Sequence, residues 1–159
     1  MNATHHLIVG RACSGKTRTL QQLIAAEKAA HGPAVAVWGI EPTGPGRMAG
    51  LDRTVGADQA AALLTEALAV VAERTARHRD HEPTPNEPRI RIVIDDAEPV
   101  LRDTETAHLL HRLAATGRTA AVTTIVAASD MTAATWLPAL RRHYVNGEVT
   151  ICEHPRTEA

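Results

Sequence analysis

His5 to Thr17 reads HHLIVGRACSGKT. His6 to Val9 is a short apolar run that ends at a glycine, the pattern of a buried strand. From Lys16 onward, Leu20, Leu23 and Ile24 recur at helical spacing, and Gly32-Pro33 supplies a helix stop. The stretch between strand and helix, Gly10-Arg11-Ala12-Cys13-Ser14-Gly15-Lys16-Thr17, fits G-x-x-x-x-G-K-[ST].

The spacing has a physical reason. The intervening residues wrap around a phosphate with backbone N–H groups turned inward, and the glycines allow angles and close approaches that a side chain would block. The loop feeds a helix N-terminus, whose partial positive charge favours an anion. Gly10 to Arg18 are therefore the expected nucleotide-binding segment. Lys16 is placed to reach the β- and γ-phosphates, and the Thr17 hydroxyl to ligate Mg²⁺.

Such a site needs a second group for the metal. Ile90 to Asp96 reads IRIVIDD, an aliphatic strand ending in two carboxylates, the form of a Walker B motif. Asp95 is the expected Mg²⁺ partner. Asp96 is the expected group that orients or deprotonates an attacking water. A guanine reader of the Asn/Thr-Lys-x-Asp type is not found; SDMT at Ser129 to Thr132 has the acid without the lysine. ATP is the expected nucleotide.

Outward from these motifs, strands and helices alternate. Ala34 to Ile40 is a continuous apolar strand, and Glu41 to Gly56, rich in Gly and Pro, reads as a loop. Asp58 can cap a long helix striped by Leu63, Leu64, Ala67, Leu68 and Val71, running to about Arg79. His81 to Pro88 carries three prolines and forms a linker too short to divide domains. Asp103 begins another helix, which stops at Gly117. Ala120 to Ala128 is a strand, Thr132 to Tyr144 a helix with Pro138 in its first turn or at a kink, and Glu148 to Cys152 a last strand. The pattern predicts one α/β domain over 1–159, core about 5–152 and tail 153–159, with a mainly parallel five-stranded sheet.

Composition agrees with that layering. The chain has 159 residues, no Phe, one Tyr and two Trp, so aliphatic residues and alanine must fill the core. A net charge of −1 supplies no global basic field for nucleic acid or anionic membrane. Cys13 and Cys152 do not make a disulfide framework, and no apolar run approaches the roughly 20 residues of a membrane span. A cytoplasmic protein without a membrane segment is expected.

The ordered series of segments resembles the FtsK/SpoIIIE family of ATP-driven DNA translocases from about His5 to Cys152. The opening stretch is similar to that family's HLLVAG-x-x-GSGKS, VWGIEPTG (Val37 to Gly44) to its LIDPKG, and RIVIDDAEPVL to its VVIDELADL. LHRLAATGRTAAVTTIVAAS resembles LARLGRAAGIHLVLATQ, and LRRHYVNGEVTIC resembles IKANIPTRIAFRV. The resemblance implies a RecA-like three-layer α/β/α sandwich. It also implies ATP hydrolysis coupled to moving double-stranded DNA, in a homo-oligomeric ring or as a subunit of a larger motor. It covers the motor core alone, without the family's membrane domain, flanking subdomain or winged helix. Arg118 falls on the family's "GR", which suggests an arginine finger reaching a neighbour's ATP, with Arg141 and Arg142 as weaker candidates.

The departures fall at the chemistry. Asp96 stands where the family has Glu, one methylene shorter; Ala128-Ser129-Asp130 replaces ATQ; Thr43 replaces the Lys of DPKG. A hydrolysis-impaired ATP-binding regulatory subunit is therefore an alternative, and a small-molecule kinase with Arg47 and Arg53 on a lid a third. Arg47, Arg53, Arg74, Arg77 and Arg79 are the candidate DNA contacts. Cys13 is a candidate for modification that blocks ATP. His78, Asp80, His81 and Glu82, the pair His108 and His111, and Cys152 with Glu153 and His154 lack the paired spacing of a zinc site.

Overall fold

A computed structural model describes residues 4–44, 46–77, 79–132 and 135–153 of the chain. Its strands are β1 (His6–Val9), β2 (Val35–Ile40), β3 (Arg53–Val55), β4 (Arg89–Ile94), β5 (Val122–Ala128) and β6 (Glu148–Ile151). Its α-helices are α1 (Lys16–His31), α2 (Ala60–Arg77), α3 (Ala97–Leu101), α4 (Thr104–Thr116) and α5 (Pro138–Val145). The strands form one sheet in the order β3-β2-β4-β5-β1-β6, every neighbouring pair parallel.

The sheet has six strands rather than the expected five. The addition is β3, inside the segment read as loop. It is three residues long, has Arg53 and Thr54 exposed, and pairs Trp38 with Arg53 through Ile40 with Val55. A polar edge strand of that length carries no period for a sequence to display. The helix expected from Asp58 begins at Ala60, after a 3₁₀ turn over Ala57–Gln59 in which Asp58 makes no capping bond. Asp103 does cap α4, accepting the Thr106 N–H at 2.8 Å. Pro138 opens α5, which is shorter than expected because Trp136 folds into the core ahead of it.

Alternation along the strands builds two cores. Ile90, Ile92 and Ile94 of β4 and Val122 and Val126 of β5 pack against α2, α4 and α5 through Leu63, Leu64, Leu110, Leu113 and Leu140. Val93, Ile125 and Ala127 face the other way, against Leu20 and Ile24 of α1 and Met48 of the β2–β3 connection. Helices thus cover both faces, the three-layer sandwich. No described helix is long and apolar enough to cross a membrane.

Parallel pairing puts the carboxyl ends of β1, β4 and β5 side by side, with β5 in the middle. The segments after those strands carry the glycine-bounded loop, the Asp95-Asp96 pair and Ser129-Asp130.

Candidate functional site

The loop leaves β1 at Gly10, whose N–H still bonds the Ala128 carbonyl at 3.1 Å. It then winds tightly, with Cys13 at φ 61° and Gly15 at φ 89°. A Cβ on Gly10 would stand 2.3 Å from the Ser14 hydroxyl and 2.6 Å from the Cys152 carbonyl, so only glycine fits there. Gly15 caps α1 without a side-chain bond, and no acid occupies the first turn. The positive end of the helix therefore faces the loop uncompensated by side chains. The Ser14 hydroxyl is buried with no hydrogen-bond partner among the described residues. Arg11, Ala12, Cys13 and Arg18 are exposed around the rim.

Lys16 Nζ donates to the carbonyls of Gly10 at 2.6 Å and Arg11 at 2.9 Å, which lays the ammonium across the loop. The Thr17 hydroxyl donates to both carboxylate oxygens of Asp95, at 3.2 and 3.1 Å, bridging 78 residues of sequence. Asp95 is buried at the end of β4, where its own N–H bonds the Ile40 carbonyl at 3.1 Å. These donors fit a magnesium-bound nucleotide. Thr17 and Asp95 are paired hard oxygens of the kind Mg²⁺ takes, and the loop offers inward amides, an unsatisfied hydroxyl and an ammonium for phosphate oxygens.

Asp96 sits at φ 72°, a left-handed backbone unusual for a residue with a Cβ. Burial, then the hydrogen bond and charge of Glu98, then the charge of Asp95, push its carboxyl up to about 6, against the pull of Lys16. Glu98 moves the other way. Burial pulls it up, but the bond from Asp96 and the backbone amides of Ser129 and Asp130 outweigh that and hold it below the usual carboxylate range. The Asp130 amide lies 3.3 Å from Glu98 Oε1, which also takes the Ser129 amide. Glu98 thus joins the acid after β4 to the segment after β5. Its only signal in the sequence is its place two residues beyond Asp96. The Asp130 carboxylate is engaged locally, accepting the Thr132 N–H at 3.0 Å.

Glu41, at the end of β2, is a second site-side acid that the motifs do not reveal. It is 1% exposed and accepts the backbone amides of Gly46, Arg47 and Met48 and the Thr54 hydroxyl, each at 2.8 Å. Burial raises its carboxyl, yet these four bonds overcome that and lower it below the usual value. The charge pins the β2–β3 connection to the sheet.

Other expected residues lie elsewhere. Arg118 is on a 3₁₀ turn over Arg118–Ala120 that leads into β5, at the opposite end of the sheet from the loop. Arg74 is buried, donating to the carbonyls of Ala120 at 2.9 Å and Pro88 at 2.7 Å, and so is removed from the exposed cations a DNA backbone could meet. Arg53 pairs with Glu66 at 2.6 Å and lies over the Trp38 ring, and Arg77 pairs with Glu73 and Glu87. His78 and His154 lie outside the described residues.

A parallel sheet whose first strand turns through this loop into a helix, with acids at the end of a nearby strand, is the architecture of the P-loop NTPases. Within that class the fold is that of RecA-like ATPase domains, and the similar solved structures are FtsK/SpoIIIE-type ATPases. The cytoplasmic domain of the type VII secretion ATPase EccC from Thermomonospora curvata has a TM-score of 0.72 at 20% identity, over 89% of this chain and 20% of that one. The cytoplasmic domain of EssC has a TM-score of 0.73 at 16% identity, over 94% of this chain and 33% of that one. The pCW3 conjugation coupling protein TcpA, in its monomer form with ATPγS, has a TM-score of 0.65 at 15% identity, over 89% of this chain and 47% of that one. The chain therefore spans a fifth to about half the length of these structures. No protein-family model and no curated protein matches the sequence.

Proposed function

We propose that this chain binds ATP with Mg²⁺ and hydrolyses it as the motor domain of an FtsK/SpoIIIE-type assembly, a ring of like subunits or part of a larger motor. The observation that carries this reading is the Thr17 hydroxyl on the Asp95 carboxylate, which joins the two expected metal-binding groups from segments 78 residues apart. Magnesium-bound ATP brings the phosphoanhydride to be cleaved and the metal charge that eases its cleavage. The chain's own part is to hold and orient it. Loop amides of Gly10 to Thr17 and the α1 terminus take the phosphates, Lys16 adds an ammonium, and Thr17 and Asp95 hold the metal. Asp96, once ionised, orients the attacking water and receives its proton.

The test is steady-state ATP turnover with and without linear duplex DNA, using Lys16→Ala and Asp96→Ala as controls. Turnover stimulated by DNA and lost in both variants supports a DNA-dependent motor, and unstimulated turnover lost in both supports an ATPase with another cargo. The engagement of Asp96 with Glu98 favours a second reading, a nucleotide-sensing subunit with impaired hydrolysis. Tight ATP binding lost in Lys16→Ala, with no turnover in any condition, is the result that reading requires.

A further inference from the structure

At the amino ends of the strands, far from the loop, a pocket of about 330 Å³ is lined by His5, Ala114, Arg118, Arg142, His143 and Asn146, among others. Its volume lies at the small end of the range for small-molecule sites. No acid is among its lining residues, and neither Arg118 nor Arg142 is ion-paired among the described residues. Its floor is His5, only 6% exposed.

The state of His5 follows from its partners. Nδ1 accepts the backbone N–H of Thr124 at 3.2 Å, a group that can only donate. The neutral ring therefore carries its proton on Nε2. That N–H is buried and makes no hydrogen bond of good geometry, with the Ala114 backbone close enough to favour the charged ring. Burial, followed by the charges of His143, Arg91 and Arg118, pushes the ring down to about 4. The Arg91 contribution is offset by Glu27, whose Oε1 accepts from Arg91 Nε at 3.0 Å. Arg118, which acts on His5, and Arg142, which lines the same pocket, have no described carboxylate partner. An unpaired buried donor and two unpaired guanidiniums around one cavity are the complement of a tetrahedral oxyanion.

We infer that this pocket is a second ligand site, separate from the nucleotide loop, that takes the phosphate group of a small molecule between Arg118, Arg142 and the His5 floor. Two guanidiniums match a dianionic phosphate better than a singly charged carboxylate. The inference stands whether or not the chain hydrolyses ATP.

The test titrates the Lys16→Ala protein with inorganic phosphate at constant ionic strength and follows the imidazole NMR signals of His5 and His143. The Lys16→Ala background weakens the loop as a competing site, and the signals are local to the pocket. A saturable shift of both signals in the millimolar range is expected, with affinity reduced about tenfold or more in Arg118→Gln/Arg142→Gln. The unliganded His5 signal in that variant reports whether the floor is still folded. Acetate should bind at least about tenfold more weakly than phosphate. The inference is overturned if His5 is unmoved at high phosphate, or if the double variant binds as well with its His5 signal intact. Acetate equal to phosphate would overturn the assignment of the ligand class.

Discussion

The two ends of the sheet treat polar groups in opposite ways. At the amino end, ionic side chains are cross-braced. Arg91, on β4, is 8% exposed and reaches Glu27 on α1, the Thr123 hydroxyl and the Thr4 carbonyl, while His5, Thr124 and Tyr144 form a buried chain. At the carboxyl end, Cys13 and Asp96 hold left-handed backbones, the Ser14 hydroxyl has no described partner, and Asp96 crowds Glu98. One end is largely braced by its own chain, although His5 Nε2, Glu27 Oε2 and Arg89 Nε lack hydrogen bonds there and Ala121 is left-handed. The other keeps strain and unspent hydrogen bonds, as ligand sites do.

Three measurements would break or sharpen this contrast. The largest effect is expected from Glu27→Ala, which leaves Arg91 charged and nearly buried. A loss of about 4 kcal/mol by denaturant unfolding is expected, with ATP affinity of the folded protein unchanged. Loss of ATP affinity without loss of stability would mean that the two ends are not separate in role.

Next is pH. His5 titrates at about 4 in the fold against an unfolded value of 6.5, so the unfolded chain takes up the proton first. The His5 contribution is therefore whole above about pH 6.5 and lost as pH falls toward 4, by roughly 3 kcal/mol. His5→Gln should flatten that part of the stability curve. Some slope should remain, because burial also lowers His6 and His143. An unchanged slope would remove His5 from the brace.

The smallest effect is at the strained end. Asp96 is raised from 3.8 to about 6, so its contribution is present below 3.8 and lost as pH rises through 6. Asp96→Asn, which cannot repel Glu98, should raise stability by about 1 kcal/mol at pH 8 in metal-free buffer. A lower melting temperature in that variant would show that the end is not strained.

Much of the frame is legible in the sequence because it obeys periods and stops. The runs ending at Val9 and Ile94, the stripe of Leu63, Leu64 and Ala67, and the stop at Gly117 each state an element in their own residues. The loop is legible because its glycines are obligatory. What escapes notice depends on partners far along the chain. β3 is a strand only because β2 lies beside it, and α3 is five residues long with Pro99 inside. Glu98 matters through the amides of Ser129 and Asp130, and His5 through Thr124. Arg74 has the same charge as its exposed neighbours, and only the Ala120 and Pro88 carbonyls make it a buried one.

The position of β1 sets an order of assembly. β1 precedes β5 and β6 by more than a hundred residues yet lies between them, and His5 meets Thr124 from 119 residues away. α1 packs on β1, but both strand partners of β1 lie far along the chain, so its pairing bears the slow closure of a long chain segment. A nascent chain that has passed Asp95 but not Ala128 carries both motifs complete, with no neighbouring strand against which the loop can take its shape.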